Sequence, residues 1–234
     1  MLYKTTRLDV SYQASFRSLA FDLVAPGKAA TILKEVFDRI NPRYAIRTSD
    51  MKVFFGVSMA EFRVNIVLFN GLGELDLNPE RLLISFTNVK GQEDIKIIKD
   101  VVTLAMEAFK VVLPNVPMRE DLVRFSAFIE LSKGKALNFL QDLMRGSAVL
   151  EHLKSNKFEG SSISFGLKSE VEDREKRWSS VIDMGKTTWP EVLLLTGTSI
   201  YQDGGPIKSA QEKIEHSEKI ANTFLESIGL KSEK

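Results

Sequence analysis

One pattern in this chain occurs twice. VAPGKAATILKEVF (residues 24–37) and LSKGKALNFLQDLM (131–144) place Gly27 on Gly134, Lys28 on Lys135, Ala29 on Ala136 and Leu33 on Leu140. Upstream in the same register, Arg17, Ala20 and Phe21 fall on Arg124, Ala127 and Phe128. VFFGVS (53–58) matches ISFGLK (163–168), which puts Gly56 on Gly166. Arg63 and Gly71 match Arg177 and Gly185, RLLISF (81–86) matches EVLLLT (191–196), and Ile95-Lys96 matches Ile207-Lys208. The separation is 107 residues at Gly27/Gly134 and 114 at Gly71/Gly185, a drift that a few loop insertions produce. Self-similarity at a nearly constant spacing is the mark of a repeated unit, and it binds both halves of the chain to one architecture.

Each unit reads in one order. A strand (Arg17–Val24; Arg124–Leu131) is broken by a glycine, and a helix follows (Lys28–Ile40; Lys135–Met144). In the first helix Ala29, Ile32, Leu33, Val36, Phe37 and Ile40 recur at the three-and-four spacing of one helical stripe. Three β-rich runs come next: Lys52–Met59, Glu61–Asn70 and Leu82–Val89, then Ser162–Val171, Lys176–Met184 and Val192–Tyr201. A long helix closes each unit. Glu93–Leu113 stops at Pro114; Pro206–Ile228 stops at Gly229 and has proline in its first turn. The earlier of the two is apolar over the wider arc and is expected to be the more buried.

The expected fold class is therefore α+β: internally duplicated β-α-β-β-β-α units, residues 1–117 and 118–234, with antiparallel sheets and helices on one face, forming one pseudo-symmetric body. In element order this is similar to the duplicated halves of TATA-binding-type and helix-grip folds, a likeness of topology that carries no function with it.

Composition narrows the function classes. At 234 residues, 44% hydrophobic and 27% charged, the chain has an ordinary globular balance and enough length for a sizeable core. A net charge of +1 sets up no global field toward nucleic acid or an anionic membrane. The absence of cysteine removes disulfides, thiol nucleophiles and thiolate-bound zinc. The opening MLYKTTRLDVSYQ has no apolar core of a signal peptide, and no apolar run nears the roughly 20 residues of a membrane span. A soluble, cytoplasmic protein is expected.

The motifs that could carry chemistry fall away one by one. Gly27-Lys28 opens a helix, but a phosphate loop needs a glycine five residues earlier and Ser or Thr after the lysine; Ala29 stands there, and Ala136 in the second unit. Both glycines read as strand-to-helix turns. His152 and His216 read as solvated, without a partner at metal or triad spacing. GLG at residues 71–73 reads as a turn. ELDLNPE (74–80) puts Glu74 and Asp76 on one side of an extended segment, and reads as a solvated edge strand rather than a cation site. SEVEDREKRW (169–178) reads as an exposed hairpin tip. Asp22, between Phe21 and Leu23, reads as an edge or capping residue. No catalytic, cofactor-binding or metal-binding residue is assigned, and no cofactor; the reading leans away from an enzyme.

What remains is a surface. Alternation along the first unit's strands puts Val53, Phe55, Val57, Phe62, Val64, Ile66, Leu68, Leu82, Ile84 and Phe86 under the helices. The opposite face then gathers Leu19, Phe21, Leu23, Phe54, Val67 and Phe69 beside Arg17, Lys52 and Arg63, too apolar for open water. The second unit's corresponding face is more polar, with Ser126, Glu130, Lys168, Ser179 and Asp183. Arg17, Leu19, Phe21, Leu23, Lys52, Phe54, Arg63, Val67 and Phe69 are thus the expected interaction surface. The leading function is a non-enzymatic binding or adaptor protein whose partner is another protein or a second copy. The alternative is a nucleic-acid- or ligand-binding module that uses this face, where basic groups adjoin aromatics, or the groove between the halves.

Overall fold

The computed structural model describes residues 1–144, 162–169 and 177–233. Ten strands form one sheet: β1 (Leu2–Phe16), β2 (Met51–Phe54), β3 (Arg63–Leu68), β4 (Gly73–Leu77), β5 (Arg81–Phe86), β6 (Met118–Leu131), β7 (Ser162–Lys168), β8 (Trp178–Lys186), β9 (Val192–Gln202) and β10 (Lys231–Ser232). Their order is β2-β3-β4-β5-β1-β6-β9-β8-β7, every neighbour antiparallel, with β10 added in parallel beside the start of β1. Among the described residues the helices are α1 (Lys28–Tyr44), α2 (Gln92–Val112), α3 (Ala136–Met144) and α4 (Ala210–Ser227). They lie on one face of the sheet, so the molecule is a mixed α+β structure with an antiparallel sheet.

The centre of the sheet corrects the sequence reading most. The first strand is Leu2–Phe16, not Arg17–Val24. RLDVSYQASF alternates without a break: Tyr12, Ala14 and Phe16 are buried under helices, while Asp9, Ser11, Gln13 and Ser15 face the other way. The chain leaves the sheet at Phe16. Arg17 N–H donates to Pro117 O at 2.8 Å, Ala20 N–H donates to Pro79 O at 2.8 Å, and residues 21–24 wind into a 3-10 turn that buries Leu23. Arg17, Ala20 and Phe21 therefore occupy a connection, whereas Arg124, Ala127 and Phe128 lie in β6.

Other bounds shift for local reasons. β2 stops at Phe54, so Phe55 and Val57, expected beneath the helices, stand 78% and 102% exposed in the loop that follows. The ELDLNPE stretch contributes β4, an interior strand between β3 and β5 rather than a solvated edge; Leu75 and Leu77 are each 1% exposed. α1 runs past Ile40 to Tyr44 and carries Pro42 in its last turn, where Asn41 Oδ1 accepts from Ile46 N–H at 2.9 Å. α4 begins at Ala210, beyond Pro206. Its start is fixed by a capping box in which Glu212 N–H donates to Ser209 Oγ at 3.1 Å and Ser209 N–H donates to Glu212 Oε2 at 2.9 Å.

The long helices otherwise follow their stripes. Ala29, Ile32, Val36 and Ile40 bury one side of α1. α2 buries eight side chains, among them Val101, Ala105 and Phe109, and Phe109 stacks on Phe16 at 5.0 Å between ring centroids. The interior has two lobes, one under α1 and α2, the other under α3 and α4, and Leu8 packs against both. α1 packs on α2, and α2 meets α4 across the middle.

The sequence matches between the halves hold unevenly. Gly27 (φ 81°) and Gly134 (φ 89°) both take the left-handed conformation just before a helix. Gly56, in contrast, follows the end of β2 while Gly166 lies inside β7; Gly71 is in a turn while Gly185 lies inside β8. The first half also has a strand, β4, that breaks the expected three-strand count.

A candidate ligand cavity between the long helices

The expected interaction surface does not stay together. Lys52 and Phe54 on β2, and Arg63 and Val67 on β3, do share the face away from the helices; Phe54 pairs with Arg63 across the strands. Leu23 is fully buried in the core. Arg17, Leu19 and Phe21 sit in the connection after β1, with Phe21 60% exposed. Phe69 turns to the helix side in a turn with φ 51°, its ring 5.7 Å from Tyr44 and 6.1 Å from Phe86. A φ above zero reverses the direction that alternation assigns, which is why the pattern misplaced it.

The bare face carries charges that answer one another. Arg7 pairs with Asp9 at 2.8 Å, Arg63 Nε is 3.6 Å from Asp76, and Arg124 donates to Gln13 Oε1 at 3.1 Å. Glu74 and Asp76 do share a side. Asn65 Nδ2 donates to Glu74 at 2.5 Å, and burial raises the Asp76 carboxyl above its usual range while Arg63 opposes it. Among the described residues no group of three or more His, Asp or Glu side chains is placed to hold a metal.

The concave feature lies on the other side of the sheet. A cavity of about 1000 Å³ opens between α2 and α4, over the inward face of β1 and β6. Its floor is Leu8 and Val10 from β1 and Phe125, Ala127 and Ile129 from β6; Ile95 and Ile98 of α2 wall one side, Ile214 and Leu225 of α4 the other. Leu8, Val10 and Phe125 are only partly buried, while their neighbours on the same face of β1 and β6, Tyr12, Val123 and Ile129, are fully buried. The reason is geometric. Each pair of helices covers its own half of the sheet, and the β1–β6 seam is left to the space between them.

A polar bridge spans the gap. Lys99 on α2 lies 3.3 Å from Glu218 and 3.6 Å from Glu215 on α4, and Gln92 Nε2 donates to Glu218 at 3.0 Å. At the floor, Gly197 of β9 pairs with Phe125, and a Cβ on Gly197 would come 2.1 Å from the Phe125 ring. The ring lies over a residue that must have no side chain. A glycine inside LLLTGTSI was the signal in the sequence for such a close approach, and it was passed over. Leu8 and Val10 were missed because the first strand was placed too late in the chain; Phe125 falls inside the expected strand 124–131, but its neighbour across the seam, Val10, does not belong to any expected strand.

One cluster beside the cavity joins buried polar groups of α4, β6 and β9. Lys213 of α4 donates to Asp121 of β6, and both are buried. Tyr12 is pushed well above the usual tyrosine value, first by burial and then by the Asp121 charge. Tyr201 donates its hydroxyl to Lys213 O at 3.0 Å and meets Ser217 Oγ at 2.8 Å and His216 Nδ1 at 3.1 Å. His216 is thus not a solvated surface residue. Its ring is half-buried, 4.6 Å from Trp178, and burial first, then Lys219, lowers its pKa below 6.5. His152 and most of the 169–178 run lie outside the described residues.

No helix among the described residues is long and apolar enough to cross a membrane. No protein-family model matches the chain, and no curated protein is significantly similar to it. Among solved structures, the TBP of Methanococcus jannaschii is similar over 97% of this chain and 99% of that one, at 12% identity and a TM-score of 0.30. Likeness at that level assigns neither a family nor an activity.

Proposed function

We propose that this protein is a non-catalytic binding protein that holds a small apolar molecule in the cavity between α2 and α4. The observation that carries the reading is the partial exposure of Leu8, Val10 and Phe125 at the bottom of a space of about 1000 Å³, between fully buried neighbours on β1 and β6. Ligand sites are concave with an apolar interior, and this one has an apolar floor with polar and charged residues around its rim. Titration with the neutral dye Nile red tests it. The expected result is saturable one-to-one fluorescence enhancement that Ala221→Trp, on the cavity wall, abolishes without unfolding the protein. No enhancement, or enhancement that Ala221→Trp leaves intact, contradicts the reading.

A second reading keeps the protein partner expected from the sequence and relocates it. Phe54, Phe55 and Val57 stand 48%, 78% and 102% exposed at the tip of β2, the outermost strand. Exposed apolar side chains on a sheet edge favour contact with another chain. Light scattering checks this: Phe55→Ser with Val57→Ser lowers the oligomer mass if the tip joins two copies, and unchanged monomer in both proteins speaks against self-association.

We also propose that residues 1–117 and 118–234 are two units related by duplication. Support comes from the paired left-handed Gly27 and Gly134 and from the meeting of β1 and β6 at the sheet centre. The two halves, co-expressed as separate chains, are expected to co-purify as a one-to-one complex, since β1 pairs with β6 along most of its length and each core lobe includes side chains of both halves. Halves that are each insoluble and fail to associate count against the division.

A further inference from the structure

We infer that the ligand of this cavity is a short extended peptide, which adds a strand to an open edge of β1 and sends an apolar side chain inward. The inference rests on the proposed cavity function and names the ligand class. β1 is bordered unevenly on the side away from β6. β10 covers Leu2 and Tyr3, and β5 begins to pair only at Val10. Tyr3 O accepts from Glu233 N–H and Leu8 O from Val89 N–H, each at 2.8 Å. Between these two contacts β1 has no neighbouring strand on that side. In an antiparallel pair the backbone groups of alternate residues turn to the same side, so the Thr5 N–H and C=O face the gap as those of Tyr3 face β10. Among the described residues neither group finds a backbone partner.

This gap is also the mouth of the cavity. Lys4, Thr5 and Leu8 of β1, residues 89–92 leading into α2, and Ser232 and Glu233 at the end of the chain all line it. The side chains of Lys4, opposite Glu130, and of Arg7, paired with Asp9 at 2.8 Å, lie on the bare face and leave the mouth clear. Thr5, opposite Ile129, points to the helix side and is nevertheless exposed. The stretch from Lys4 to Arg7 spans about 10–13 Å at the rise of a strand, room for a few residues of extended chain. An open sheet edge binds such a chain through its main-chain groups and takes alternate side chains into the pocket alongside. Here those side chains meet Leu8, Val89 and Ile95 of the lining. Charge does not select the ligand, because the lining sets Lys4, Lys90 and Lys231 against Glu218, Glu226 and Glu233. An uncharged amide backbone with an apolar side chain matches both the open edge and the apolar floor.

Three competitors of Nile red test the inference: the neutral peptide acetyl-Thr-Phe-Thr-amide, the same peptide N-methylated at its phenylalanine and the following threonine, and octanol. The unmodified peptide should displace the dye at a concentration about threefold to tenfold below the N-methylated one, the effect of one or two lost backbone hydrogen bonds. Amide hydrogen exchange supplies a second readout. The Thr5 N–H should exchange at least about threefold more slowly with the unmodified peptide bound, and at its free rate with octanol bound. Equal competition by the two peptides, displacement by octanol alone, or Thr5 exchange that the peptide leaves unchanged overturns the peptide ligand and leaves the cavity reading standing. Failure of both Nile red and octanol to bind sinks the cavity reading and this inference with it.

Discussion

At Asp121 the fold holds a charge where water does not reach. Its Oδ2 accepts from Lys213 and its Oδ1 has no hydrogen-bond partner. Removing one member of such a pair is costly, because the other is left buried and uncompensated. Lys213→Met is therefore expected to lower unfolding stability by about 3–5 kcal/mol, and Asp121→Leu/Lys213→Met to recover most of that loss. Denaturant titration of the two variants decides it; a double variant no more stable than Lys213→Met would mean the charge is not what the lysine offsets. His216 supplies a pH dependence. Its folded pKa is depressed, so the unfolded chain binds more protons in acid. The associated stability is complete above about pH 6.5 and falls as pH drops through the lowered value. His216→Gln should flatten the melting temperature between pH 7 and pH 5 relative to wild type; an unchanged slope would place the effect elsewhere. At Gly197, alanine would drive a Cβ into the Phe125 ring, with an expected loss of about 1–3 kcal/mol. Phe125→Leu in the same chain should relieve most of it.

The elements were legible where one pattern decided them and obscure where two competed. α1, α2 and α4 show apolar stripes that a strand could not use, and each lies within a few residues of its expected place. β9 was similarly clear, whereas β6 begins at Met118, six residues before the expected Arg124. The N-terminal strand was not, because RLDVSYQASF and the following RSLAFDLV both alternate; the choice between them is made by Pro79 and Pro117, whose carbonyls draw the chain out of the sheet after Phe16. β4 was obscured by its acids. Asp76 is buried by its neighbours and by Arg63, which no local pattern foretells. The same distinction applies to the link between α2 and α4. No local pattern pairs Lys99 with Glu218, and only the packing brings them together across the cavity. Glu218→Ala removes a part-exposed pair, so its effect on stability should stay within about 1 kcal/mol. Its effect on ligand exchange should be larger, with faster Nile red release in stopped flow. Unaltered release would mean that this bridge does not guard the opening.

For the whole molecule, the repeated pattern foretold antiparallel sheets with helices on one face, which the structure joins into one sheet, and it drew attention to the bare side. The sequence could not show that the expected apolar patch disperses, since Leu23 and Phe69 turn inward only through the 3-10 turn and the positive φ that follow their strands. Nor could it show the seam, because a cavity is a deficit of packing between distant segments: Leu8 and Phe125 are separated by half of the chain and meet only as neighbours across β1 and β6. The central claim is that this seam is a real, ligand-sized space. A crystal structure of the protein under xenon pressure tests it most directly, since xenon enters dry apolar cavities. The account predicts xenon density against Leu8, Phe125 and Leu195, between α2 and α4. Leu8 and Phe125 packed against the helices, with no xenon between them, would contradict it.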